Sequence, residues 1–275
     1  MTMTSLPARL PWLRVLAALA LLGALAALSG CATTDANTAA PGELHTTSDD
    51  TPIRQRARTR LTLAASYFQN GQSAVALDET KKALQIDPSF PDAYNLGGLI
   101  YMAMGERQLA MTHFQRALSL NANDPDTLHN LGWLQCQEGQ YAQAAQSFQR
   151  AMAAPLYQNR AKTLMAQGIC EARAGDKAKA EQTLLESYKF DPGNPVTGYN
   201  LALLLYERGD YAKAQFYIRR INNSELSNAS SLWLGIRVEH KLDNRVAMEQ
   251  LASQLQRRFA DSAELKSYEK EAFDE

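Results

Sequence analysis

The order of apolar and polar positions divides the chain into three stretches. Val15 to Leu28 is almost wholly Ala, Leu and Val, broken only by Gly23, and it follows Arg9 and Arg14. From Ala32 to about Pro52 the residues are small and polar, with no apolar periodicity. Beyond Thr51 apolar residues recur at the spacing of helices, and the pattern repeats. Tyr94-Asn95-Leu96-Gly97, His129-Asn130-Leu131-Gly132 and Tyr199-Asn200-Leu201-Ala202 each open a helical segment that stops near Gly105, Gly139 or Gly209. Glycine there supplies the positive φ that ends a helix tightly. A second helix follows, with small and large apolar residues in turn at Ala110/Phe114/Ala117, Ala144/Phe148/Ala151, Ala180/Leu184/Ser187 and Ala214/Ile218/Ile221.

Helix pairs of this kind recur about every 34 residues, the tetratricopeptide (TPR) period. Small residues let two backbones approach, and a large residue one turn on fills the gap against the next helix. Each unit buries its apolar face only against its neighbours, so the expected fold is an all-α superhelical solenoid. Six units are expected, at about 57–90, 91–124, 125–158, 159–194, 195–227 and 228–260. A charged helix over 262–273 reads as a cap. Pro88 and Pro192 close second helices. Three units depart from the pattern. The second carries Gly97-Gly98 and one extra residue before its turn, which leaves its register open by one. The fourth has Gln167 and Glu171 where apolar residues are usual. The sixth has no Gly to end its first helix.

The first stretch has the basic start and apolar centre of a secretory signal. It is shorter than the ~20 apolar residues that cross a bilayer, and no basic stop-transfer cluster follows. Leu28-Ser29-Gly30-Cys31 resembles the bacterial lipobox. The resemblance implies cleavage of residues 1–30 and lipid on Cys31. By the same resemblance, Ala32 after the cysteine, rather than Asp, points to the periplasmic face of the outer membrane. Two or more acyl chains anchor a protein stably where one does not, at ~0.8 kcal/mol per buried CH₂. Residues 31–52 then read as a flexible tether, since they hold too little to bury.

Composition adds mainly exclusions. With 28 basic and 29 acidic residues the formal net charge is −1, and there is no basic stripe of the kind that binds nucleic acid. His45, His113, His129 and His240 are scattered, without metal-ligand spacing, and no phosphate loop or nucleophile elbow occurs. No catalytic role and no cofactor are expected. Cys136 and Cys170 suit either a disulfide, which an oxidising compartment allows, or two small buried apolar residues. A monomer is the expected state.

The informative side chains are on the first helices, which line the concave face in this repeat. Leu61, Ala65 and Phe68 form a stripe in unit one, and Tyr94, Gly98 and Tyr101 in unit two. His129, Trp133 and Cys136 follow in unit three, and Tyr199, Leu203 and Tyr206 in unit five. An aromatic, weakly charged groove of this kind suits an apolar or amphipathic partner segment. It lacks the Lys and Arg that clamp a terminal carboxylate in chaperone-binding TPR domains. The other reading of Tyr67, Tyr101 and Tyr206 is packing between repeats. Trp133 is assigned to the groove, because Leu131 and Leu134 already serve its helix's packing face.

Lipobox, tether, six repeats and charged end together resemble the type IV pilus biogenesis/stability lipoproteins, the PilW/PilF pilotins. Leu234-Gly235-Ile236-Arg237 and Arg257-Arg258-Phe259-Ala260 through Glu264 are similar to that family's close, with Ala260 where the pattern has Pro. The resemblance implies binding to the outer-membrane secretin of the pilus machine, help in its localisation and multimerisation, and hence twitching motility. The alternative is a periplasmic TPR lipoprotein adaptor for cell-wall hydrolases or outer-membrane barrel assembly.

Overall fold

The computed structural model describes residues 49–273. The signal over 1–30, Cys31 and the tether up to residue 48 lie outside the described residues. Thirteen helices and no strand occur among the described residues. They are α1 (Pro52–Gln69), α2 (Ser73–Ile86), α3 (Pro91–Ala103), α4 (Arg107–Leu120), α5 (Pro125–Gln137), α6 (Tyr141–Met152) and α7 (Arg160–Arg173). There follow α8 (Lys177–Phe190), α9 (Pro195–Glu207), α10 (Tyr211–Asn222), α11 (Ala229–Lys241), α12 (Arg245–Arg258) and α13 (Ala263–Glu269). The first twelve pair as six hairpins. Each helix packs on its chain neighbours, and successive first helices also touch, α3 on α5, α5 on α7 and α7 on α9. The result is a TPR superhelix whose core runs as a line of small clusters.

Local chemistry sets the helix ends. Pro52, Pro91, Pro125 and Pro195 occupy first-turn positions, where the missing N–H costs nothing. Asp124 and Asn194 cap their helices by accepting from Thr127 N and Thr197 N, and Asn228 with Ser231 forms a reciprocal capping box. Gly105 takes φ 81° and closes α3 with Gly105 N–H on Met102 O and Glu106 N–H on Tyr101 O. That is the paired bond of a Schellman end. In the sixth unit Asp243 takes φ 54°, and the same pair forms from Asp243 N–H to His240 O and from Asn244 N–H to Glu239 O. The turn survives the loss of glycine because a short polar side chain tolerates the left-handed region.

Close packing fixes the register. A Cβ on Gly98 would lie 2.4 Å from Phe114, one on Gly132 2.8 Å from Phe148, and one on Gly168 2.6 Å from Leu184. Gly98, not Gly97, is therefore the partner of Gly132, and unit two holds no extra residue before its turn. The Tyr-Asn-Leu-Gly match is one residue out of step there, because Gly97 makes its own close contact with His113. In unit five Ala202 and Ile218 share one cluster. In unit six the sizes exchange, with Ile236 on the first helix and Ala252 on the second.

Both ends are sealed. Phe90 is fully buried beneath the Arg54 and Arg58 guanidinium groups, which also bind Asp87 and Asp50. Asp50 is buried, so ordered chain begins before the expected tether boundary at residue 52. At the other end Leu265 of α13 covers Leu232, Ile236 and Leu255. The cap helix stops at Glu269, short of the expected 273, because Glu271 at φ 57° turns the chain back. Phe273 then stacks on His240 at 4.3 Å and on Trp233 at 5.8 Å, and its carbonyl accepts from Tyr206 Oη.

Candidate protein-binding surface

Phe68 is half-buried between units one and two, against Ala76, Leu77 and Ile100. Tyr101 bridges that cluster and the one around Phe114. Its ring meets His113 edge-on at 4.9 Å, and Tyr94 approaches the same imidazole at 5.7 Å. Tyr94 is further fixed by the Arg116 guanidinium 5.7 Å over its ring and by donation from its hydroxyl to Pro88 O. Burial lowers the His113 pKa below its ordinary value. Tyr94 and Tyr101 thus form one aromatic face through a histidine on the second helix. The stripe pattern, confined to first helices, did not include that histidine.

Trp133 leaves part of its indole exposed. It rests on the cluster of Cys136, Ala144, Phe148, Ala166 and Cys170, with the Arg173 guanidinium 5.2 Å over its ring. Beneath it Cys136 and Cys170 form a disulfide, Cα to Cα 5.7 Å, which joins α5 to α7. That contact resolves the open choice between pairing and two buried thiols, and it takes Cys136 out of the stripe.

Tyr199 is half-buried and lines a cavity of about 340 Å³ with Val196, Ile221, Asn228 and Ser230. Burial raises its pKa, partly offset by Arg237.

Two expected stripe residues face inward instead. His129 is 6% exposed, and its Nδ1 bonds Thr163 Oγ1 at 2.9 Å, while Thr163 also meets Tyr157 Oη. Burial pushes its pKa down to about 4, so the ring is neutral at neutral pH. Tyr206 is 8% exposed, beneath the Arg237 guanidinium at 4.6 Å. Both lie where successive first helices meet. A helical stripe specifies a face, but the tilt between units decides how much of it reaches solvent.

The stripe is also less neutral than its own residues suggest. Arg116, Arg173 and Arg237 come from neighbouring helices and lie over Tyr94, Trp133 and Tyr206. Guanidinium–aromatic pairs of this type contribute about 0.5–1 kcal/mol when exposed and orient the ring. Partner contacts on such a surface combine apolar area with donors to carbonyl or carboxylate groups. No group of three His, Cys, Asp or Glu side chains able to hold a metal occurs among the described residues. No helix among them is long and apolar enough to cross a membrane.

Comparison with known proteins agrees with this architecture. Models of the TPR repeat match residues 64–105, and models of the tetratricopeptide repeat match 91–124 and 113–146. The chain is 26% identical over 232 residues to the type IV pilus assembly protein PilF of Pseudomonas aeruginosa, covering 82% of this chain and 92% of that protein. The solved Pseudomonas aeruginosa PilF superposes with a TM-score of 0.72 at 27% identity, over 79% of this chain and 99% of the other. PilW, described as a widely conserved type IV pilus biogenesis factor, gives 0.72 and 27% over 78% of this chain and 98% of its own. The chain is a TPR-repeat protein homologous to these type IV pilus biogenesis factors.

Proposed function

We propose that this TPR protein of the pilus biogenesis kind is an outer-membrane pilotin. It binds the type IV pilus secretin through its first-helix stripe and promotes secretin localisation and multimerisation, and so pilus biogenesis and twitching motility. The main support is the extent of the likeness. The match to PilF takes in 99% of that chain and 79% of this one, well beyond the residues 64–146 that the repeat models match. A TPR solenoid alone would carry no such reading, since the fold serves many functions.

Three parts act together in this reading. Acyl chains on Cys31 hold the protein at the periplasmic face of the outer membrane. The tether keeps the solenoid within a few nanometres, on the order of 5–6 Å × √n for n residues, and so raises the effective concentration of partner sites there. The half-buried aromatic positions, Phe68, Tyr94, Tyr101, Trp133 and Tyr199, offer the apolar area they leave uncovered to a secretin segment. The disulfide between Cys136 and Cys170 fits an exported protein. The protein acts as a monomer that covers its own two ends.

The test measures heat-resistant secretin multimers in outer-membrane fractions of wild type, a full deletion and Cys31→Ala. Multimers vanish on deletion and accumulate in the wrong membrane with Cys31→Ala. Unchanged multimers in both strains would transfer the protein to the adaptor reading.

A further inference from the structure

The first-helix stripe continues into unit six, and there the chain itself covers it. Trp233 and His240 stand on α11 one repeat after Tyr199 and Tyr206 on α9. Phe273 lies over both, its ring stacked 5.8 Å from Trp233 and 4.3 Å from His240, with Tyr268 edge-on at 6.2 Å. Its carbonyl accepts from Tyr206 Oη at 3.2 Å. One residue thus spans two successive first helices, its side chain among aromatic rings and its backbone held by a stripe hydroxyl. A bound peptide residue is held in the same two ways, by a pocket for the side chain and a hydrogen bond to the main chain.

The contact is lightly secured. Phe273 reaches the stripe through one turn after α13, closed by Glu271 N–H on Tyr268 O and Ala272 N–H on Ser267 O. Glu271 holds that turn at φ 57°, a left-handed angle that a residue with a Cβ adopts at a cost. The core beneath is covered without the ring, since Leu265 of α13 already packs on Leu232, Ile236 and Leu255. The place is also open to solvent. His240 is exposed, and Trp233 and Phe273 are half-buried. Phe273 and His240 form part of the wall of a cavity of about 430 Å³, together with Tyr268 and Met248.

We propose that Phe273 is an internal stand-in for a partner residue. The seat made by Trp233, His240 and Tyr206 Oη receives an aromatic side chain of a partner polypeptide, and Phe273 leaves as that side chain enters. The seat prolongs the stripe of the proposed function and rests on that reading for its partner, but its own test needs no secretin. Phe273 competes from within the chain, so the apparent affinity falls by the fraction of molecules whose seat is empty.

Nα-acetyl-phenylalanine amide is titrated into the full chain and followed at the Trp233 indole and the His240 ring by NMR. Nα-acetyl-leucine amide is the non-aromatic control. Phe273→Ala empties the seat and binds the phenylalanine probe saturably in the millimolar range, at least tenfold more tightly than wild type and at least threefold more tightly than it binds the leucine probe. Phe273→Leu keeps an apolar side chain over the cap and gives an intermediate affinity, so the result does not depend on alanine being tolerated there. Tyr206→Phe added to Phe273→Ala keeps the ring, removes the donor to the probe's carbonyl and weakens binding about threefold. Equal affinity in wild type and both Phe273 variants, no binding to either variant, or equal binding of the leucine probe would each overturn the seat. None of these results bears on the multimer test of the pilotin reading.

Discussion

Burial holds the His129 ring neutral, with its pKa pushed down to about 4. In the unfolded chain the ring titrates near its ordinary ~6.5. Between these values the unfolded state takes up a proton that the folded state refuses, so stability falls as pH drops from about 6.5 to 4 and levels off below. The loss from this residue approaches about 3 kcal/mol. His129→Gln removes that slope, so thermal unfolding of wild type and variant followed from pH 7.5 to 4 converges at the acid end. A His129 titration midpoint near 6.5 by NMR would contradict the assignment. Leu156 offers a second test. It sits at φ 61° and is 83% exposed, so its side chain contributes strain and little burial. Leu156→Gly raises stability by about 1 kcal/mol, read as a shift in the urea midpoint. Neither residue was legible as such in the chain. His129 shares a stripe with exposed positions, and a leucine in a loop carries no sign of its backbone angle.

Among elements, the hairpins were the most legible part of the fold, since small-against-large packing and glycine turns leave marks at fixed offsets. What misled was a local match of four residues in unit two. There Gly97 and Gly98 are both required, one beside His113 and the other beside Phe114. Gly98→Ala puts a methyl group 2.4 Å from the Phe114 ring. Overpacking of that kind costs about 1–3 kcal/mol, and the better helix propensity of alanine returns about 1. The variant therefore unfolds at lower urea, by about 1 kcal/mol net. At the equivalent place in unit five the chain already carries alanine, Ala202, opposite the slimmer Ile218. Gly98→Ala with Phe114→Ile recovers part of the loss, which a double-mutant cycle measures. The stripe was half legible for the same reason. Its spacing identifies the face of each first helix, but Arg116, Arg173 and Arg237 reach the aromatic rings from other elements, beyond what any single helix pattern encodes.

For the whole molecule, stability is close to a sum over units and their junctions. The Cys136–Cys170 bridge is a covalent junction between units three and four. Their separation of 34 residues, about one repeat, places both on successive first helices, but the rotation between units decides whether the sulfurs meet. Removing the bridge with Cys136→Ala and Cys170→Ala costs about 3–4 kcal/mol by the loop-entropy relation. Denaturation of that variant turns from one transition into two, as the halves on either side of the junction lose their tie. A single, unshifted transition would show that packing alone couples the halves.

That bridge also governs how the molecule deforms. A solenoid yields under load by small changes of pitch spread over its joints, as a spring does. Here one joint near the middle is welded, at the point where Trp133 rests. Pulled, or wrapped around a partner as proposed, the two arms flex about a stiff centre, so the middle of the proposed surface keeps its shape while its ends adapt. Position is then set at the centre, and the arms accommodate whatever varies in the partner.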